Sequence, residues 1–214
     1  MRDDSPAVQE VTTAVYVIPT DAPEADGTLA WDKTTMVLAS VRAGAERGIG
    51  WTYAAAAAQS VIANVLAGVV VGRSALDIPG AAEAMARVVR NIGRPGVAAT
   101  AISAVDIALW DLKARLLGCS LARLLGQARD RVPIYGSGGF TSYDDGQTRE
   151  QLTGWVEKDH IPRVKIKIGE SSPARTATSS GWPWPARSSG RTPSSTWMPT
   201  AATPRGRRYV SLTG

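Results

Sequence analysis

Cysteine and histidine are almost missing from this sequence: Cys119 and His160 each stand alone. A single cysteine rules out an internal disulfide, and a single histidine beside it rules out a Cys/His zinc cluster. Both absences fit a reducing compartment. Long apolar runs are missing too, since the longest, VIANVLAGVVVG at 61–72, is too short to cross a bilayer. The acidic N-terminus MRDDSPAVQEV lacks the basic-then-apolar order of a secretory signal. Together these features predict a cytoplasmic protein without a membrane partner. The third absence is local: residues 171–214 hold six arginines and no Asp, Glu, Asn or His. Of the 24 Lys and Arg, 18 therefore face all 19 Asp and Glu within residues 1–170, a net charge of −1 there against +5 for the whole. The basic character belongs to the tail, which argues against a nucleic-acid groove on the folded part.

What remains is enough for a core, with 44% hydrophobic residues in 214. VQEVTTAVYVIPT (8–20), TTMVLASVRAG (34–44) and RGIGWTYA (47–54) alternate as strands do and predict a small antiparallel sheet. DAPEADGTLAWD (21–32) is polar and punctuated by Gly and Pro, and its length predicts a functional loop. Asp21, Glu24 and Trp31 are its candidate substrate-facing residues; Trp31 reads equally as a ligand cap and as a packing anchor on its own loop. Helical periodicity follows at 54–68, at 78–93 with Pro79 in the first turn, and at 98–118. In the last of these Ile102, Val105, Leu109, Leu112 and Leu116 form an apolar stripe, while Asp106, Asp111, Lys113 and Arg115 read as a solvated or ion-paired face.

Strand, helix, strand then follow as RVPIYGSGG (131–139), TREQLTGWVEKDH (148–160) and RVKIKIG (163–169), a βαβ unit that implies parallel strands. Residues two apart on a strand share a face, so Lys165 and Lys167 project together, with Ile166 and Ile168 turned the other way toward the helices. Two neighbouring ammonium groups disfavour each other's charge, and partial burial adds to this, which suits a general base. Taken alone, alternating lysines also describe a solvated edge strand.

The wording of RNIGRPGVAATAISAVDIALWDLKARLLGCSLARLLG (90–126), VPIYGSGG (132–139) and VKIKIG (164–169) resembles the enolase superfamily, in its mandelate racemase/muconate lactonizing enzyme group. The resemblance spans about residues 8–170. It implies an α+β N-terminal capping domain (1–125, a three-stranded antiparallel sheet plus helices), followed by a truncated (β/α) barrel of the TIM type represented by its first two strands (126–170). The aberrant Ser/Pro/Arg-rich tail (171–214) is then expected to be irregular or disordered. For function, the resemblance implies Mg2+-assisted removal of the α-proton from a small-molecule carboxylate, a hydroxy acid or sugar acid, giving racemisation or dehydration. Carried over by position, Lys167 is the base and Lys165 its helper at the substrate carboxylate, while the loop 21–32 matches the mobile loop that covers the site. A homo-oligomer is compatible with this reading.

The family pattern stops after the second lysine. Carboxylate metal ligands are expected on the next three strands, the first in a motif like V-D-A-N-G, and none is visible in 171–214, which also carries six prolines. No metal ligand is therefore assigned in this chain, and no turnover is expected of it. Trp197-Met198-Pro199 must be encoded TGG-ATG-CCN, and reading from the last base of the preceding codon forces GAT-GCC, which is Asp-Ala. The neighbouring codons permit V-D-A-N-G-G-Y in that frame. The sequence thus predicts a reading frame lost near residues 170–174. Its alternative is an inert truncated product or a basic tail that binds an acidic partner.

Overall fold

The computed structural model describes residues 5–168. Everything expected of the tail at 171–214, and of Gly169 and Glu170, lies outside the described residues.

Three strands, β1 (Glu10–Ala25), β2 (Ala30–Ala43) and β3 (Glu46–Tyr53), form one sheet in the order β1-β2-β3. β2 and β3 run antiparallel, from Met36 opposite Tyr53 to Ala43 opposite Glu46. Gly44 makes the turn between them at φ +60, the left-handed region where a side chain costs energy. The expected loop at 21–32 is mostly strand, and only residues 26–29 turn, closed by the Asp26 N–H donating to the Leu29 carbonyl at 2.9 Å. Pro23 reads as loop punctuation in the sequence, yet β1 is an edge strand, where a missing N–H need not break a ladder.

A helical run follows as α1 (Ala57–Val61), a π-helical turn (Ile62–Leu66) and α2 (Ala67–Val70), near the expected 54–68. α3 (Ile78–Val88) starts on an Asp77 cap, whose carboxylate accepts the Gly80 N–H at 3.0 Å, with Pro79 in the first turn. It ends five residues sooner than expected, because the chain leaves it through turns up to Gly93 at φ +92. α4 (Val97–Leu116) and α5 (Leu121–Leu124) complete this part.

The core lies between one face of the sheet and these helices. Val37, Ala39, Val41 and Ala43 of β2 are fully buried with Ile62, Leu66, Met85, Val105, Leu109 and Leu112. At about 1.5–3 kcal/mol for each large side chain removed from water, this cluster is the main stabilising term. The stripe expected on α4 is there, with Ile102 and Leu116 at its half-buried margins. A second buried face was not expected: Ala101, Ala104 and Ala108 bring α4 down onto β3, where Gly48 and Gly50 leave room for backbone. A Cβ on either glycine would stand 2.2 Å from the carbonyl oxygen of Ala108 or Ala104. Asp111 and Arg115 form the expected ion pair at 2.9 Å.

The chain divides into two compact units, one made of the residues up to Pro19 with Lys33–Asp130, the other of Thr20–Asp32 with the residues from Arg131 on. The second unit contains β4 (Gly136–Gly138), α6 (Asp145–Thr153), a π-helical turn (Gly154–Lys158) and β5 (Val164–Ile166). β4 and β5 are parallel, as the βαβ reading requires, with Gly136 opposite Val164 and Gly138 opposite Ile166. β4 is far shorter than the expected 131–139. In this register Ile134 falls opposite Pro162, which has no N–H to give, and Val132 and Ile134 are left exposed. α6 begins three residues before the expected helix, on a capping box in which Asp144 accepts the Gln147 N–H at 2.7 Å and the Gln147 side chain accepts the Asp144 N–H at 3.1 Å.

Candidate functional site

The second unit gathers the sequence-predicted site residues around the C-terminal ends of β4 and β5. Lys165 sits in the middle of β5. Lys167 lies one residue past its end, and the ladder continues to it through the Lys167 N–H, which donates to the Gly139 carbonyl at 2.9 Å. Gly139 takes φ +55 there, and a Cβ on it would meet Ile166 Cγ2 at 2.4 Å, so only glycine lets the two strand ends approach. The Gly139 N–H donates to Gln151 Oε1 of α6 at 2.8 Å, which fixes the turn after β4. Gly136 and Gly138 pack under the Trp155 ring in the same manner.

Both lysines are half-buried. Lys165 Nζ lies over the Tyr135 ring, 5.9 Å from its centroid. The Lys167 ammonium is held below its ordinary pKa, first by burial, then by the charge of Lys165 and a hydrogen bond with it, against the opposing pull of Asp26 and Tyr135. Ile168, expected to face the helices, is instead nearly half exposed beyond the strand end.

The hairpin tip is tied to the loop that follows β4. Thr141 donates its N–H to the Ala25 carbonyl at 2.9 Å and its hydroxyl to the Asp26 carbonyl at 3.0 Å. Ser142 donates its hydroxyl to the Pro23 carbonyl at 2.6 Å. Trp31 packs edge-on against Phe140 with centroids 5.7 Å apart, and Phe140 in turn against Tyr143 at 5.4 Å. The Trp31 indole N–H donates to Glu24 Oε2 at 2.7 Å. The charges of Glu24 and Asp21 reach Tyr143, whose phenol is pushed up chiefly by burial and then by these two carboxylates.

The acid that bears on Lys167 is one that the sequence reading did not single out. Asp26 Oδ1 accepts from the Thr28 N–H (2.7 Å), the Thr28 hydroxyl (2.7 Å) and the Leu29 N–H (2.9 Å), which together with Lys167 hold its carboxyl below the usual range. The Asp26-Gly27 pair was the available signal, since Asp-Gly marks a tight hairpin turn.

The family model for the mandelate racemase / muconate lactonizing enzyme, N-terminal domain, matches residues 10–126. The chain belongs to this family. Its curated relatives include L-talarate/galactarate dehydratase of Salmonella typhimurium, 34% identical over 128 residues, and chloromuconate cycloisomerase of a Pseudomonas species, 30% identical over 180 residues. These alignments take in 58% and 78% of this chain but 32% and 46% of the relatives, so the chain spans less than half the length of either. Among solved structures, a mandelate racemase/muconate lactonizing enzyme-like protein from Rubrobacter xylanophilus superposes with TM-score 0.77 at 48% identity, over 81% of this chain and 48% of that one. The Salmonella dehydratase, liganded with Mg and L-lyxarohydroxamate, superposes with TM-score 0.71 at 26% identity, over 81% of this chain and 47% of its own. The expected enolase-superfamily fold is therefore present: a capping domain of strands then helices, ahead of parallel strands.

Magnesium prefers six oxygen ligands in octahedral array. The described residues near the lysines offer no such array. Among the described residues no three of His, Cys, Asp and Glu converge, and Asp26 Oδ1 is already committed to the turn.

Proposed function

We propose that this chain carries the proton-abstracting half of a mandelate racemase-type site, with Lys167 as the base toward the α-proton of a small carboxylate and Lys165 beside it toward the carboxylate group. The observation that carries this reading is the pairing of the two amines on β5 and just past its end, beside the parallel β4, with Lys167 half-buried and held below its ordinary pKa. A lysine so placed is neutral at a lower pH than a solvated one and can accept a proton in its place. Lys165 keeps a positive group where negative charge would develop on the substrate. The hairpin tip with Asp21, Glu24 and Trp31 covers that end of the strands. A hydroxy acid or sugar acid is the substrate class, in keeping with a relative named as an L-talarate/galactarate dehydratase.

Among the described residues no set of oxygen ligands for a magnesium ion gathers near these lysines, and the sequence 171–214 contains no Asp or Glu. The chain as written is thus expected to be inert, with the missing ligands encoded in another frame.

A DNA read through the codons for 165–214 and beyond, followed by expression of the corrected frame, tests both statements. The corrected chain should exchange the α-proton of hydroxy and sugar acids such as galactarate with deuterated solvent. Lys167→Met should lower the rate by about 100-fold or more, and the chain as written should show none. An uninterrupted frame identical to the present one would remove the frame proposal, and exchange unaffected by Lys167→Met would remove the assignment of the base.

A further inference from the structure

The strand β4 and the turn after it read GSGG (136–139), and two side chains of the helical segment that follows take the space these glycines leave. Trp155 lies against Gly136 and Gly138. Gln151 of α6 lies against Gly138 as well, where a Cβ would stand 2.3 Å from its Oε1. A ring on bare backbone is ordinary apolar packing. An amide in that place is not, because leucine or methionine would fill the same space without a polar group to satisfy. Here the amide is put to use: Oε1 accepts the Gly139 N–H at 2.8 Å in a half-buried bond. The same side chain hydrogen-bonds the Tyr143 phenol, whose ring packs on Phe140 and, through it, on Trp31 at the start of β2.

Gly139 is the point on which this bears. It stands at φ +55 with no side chain to restrain it, so its torsions are set by what its own N–H and C=O bind. The N–H goes to Gln151, and the C=O accepts the Lys167 N–H at 2.9 Å. A rotation about Gly139 that releases the first bond therefore disturbs the second. Lys167 lies past the last ladder pair, Gly138 with Ile166, and it is this carbonyl that carries the ladder on to it.

From this geometry we propose that Gln151 is a positioning residue for Lys167. It holds the Gly139 turn in the conformation whose carbonyl receives the Lys167 N–H, and so fixes where the amine stands beside Lys165. The proposal rests on the reading of Lys167 as the base. Gln151 acts through the Gly139 backbone and needs no contact with a substrate. The groups whose charge reaches the Lys167 amine are Lys165, Asp26 and Tyr135, and none of them lies on α6, so a neutral substitution at Gln151 changes the position of the amine without changing the charges around it.

Amide hydrogen exchange and competitive acetylation over a pH series, both on the full chain, test the assignment. Gln151→Met keeps the volume and loses the acceptor. The Lys167 amide should then exchange about tenfold faster, and the Lys167 acetylation midpoint should rise by about half a pH unit as the amine gains solvent. Gln151→Asn, one methylene too short to reach Gly139, deletes the bond a second way and should give the same two changes. Gln151→Glu keeps an oxygen in the place of Oε1, and exchange at Lys167 should stay at the wild-type rate. Asp144→Ala loosens the first turn of α6 without touching Gly139 and should leave both readouts at Lys167 as they were. A midpoint unmoved by Met and by Asn would overturn the proposal even where exchange quickens, since the bond would then serve the fold alone. Equal changes from Asp144→Ala would overturn it too, because any loosening of α6 would then suffice. A wild-type Lys167 midpoint equal to that of free lysine would instead remove the assignment of the base.

Discussion

The Lys167 N–H donates to the Gly139 carbonyl at 2.9 Å, one residue beyond the last ladder pair of β5. That bond sets the position of the Lys167 Cα, and with it the distance between its amine and that of Lys165. The lowered pKa of Lys167 owes most to burial and next to Lys165, the neighbour that backbone register sets beside it.

The charge balance at Lys167 can be dissected by competitive acetylation at a series of pH values, with each lysine read separately by mass spectrometry. Asp26→Asn removes a charge that favours the ammonium form, so the Lys167 midpoint should move to lower pH. Lys165→Met removes a repelling charge and should move it to higher pH. Identical midpoints in all three proteins would show that burial alone governs the group.

The same shift makes folding pH-dependent. Because the folded-state pKa of Lys167 lies below the unfolded one, the unfolded chain binds more protons between the two values, and stability from this group rises with pH through that window. It is fully present above the unfolded pKa and lost as pH falls through the folded one. Urea midpoints of the wild type minus those of Lys167→Met should climb on the alkaline side, and a flat difference would contradict the assignment.

Gly48 and Gly50 should tolerate no side chain. A methyl group 2.2 Å from backbone oxygen of α4 cannot be relieved by a rotamer change, so Gly48→Ala should cost about 3 kcal/mol or more in a urea melt. Gly68, in α2, has nothing within 4 Å of the point a Cβ would occupy, and should gain about 0.5–1 kcal/mol as Ala. Equal effects at the two sites would mean that α4 sits farther from β3 than these distances place it.

Removal of the α6 cap should have a local effect. Asp144→Ala deletes the acceptor for the Gln147 N–H and should cost about 1 kcal/mol, with faster amide exchange confined to the first turn of α6. Exchange unchanged at Gln147 would indicate that the capping box carries no weight.

Thr141 probes the tie on the hairpin tip. Thr141→Val keeps the backbone bond to Ala25 and loses the hydroxyl bond to Asp26, worth about 0.5–1.5 kcal/mol. Amide exchange at Asp26 should accelerate several-fold, while that of Val37 in the core stays as it was.

Local signals in the sequence determined a good deal of this protein. Alternation gave three strands, and 3.6-residue periodicity gave the helices. Pro79 marked the start of α3, and the lysine spacing placed Lys165 and Lys167 on one side of a strand. These are properties of a chain and its nearest neighbours, legible without knowing what packs against them. The tertiary structure alone decided the rest. Gly48 and Gly50 fall in a strand that alternation at 47–54 already predicts, but only the packing of α4 shows why these two positions carry no side chain. Asp21–Ala25 became strand because β1 is an edge that tolerates Pro23. Asp26, and not Glu24 or Asp21, came to bear on Lys167, because the hairpin tip is bonded to Thr141 and Ser142 more than a hundred residues away along the chain. Long-range hydrogen bonds and close backbone approach leave no periodic trace in the sequence, and the electrostatics of the site depends on both.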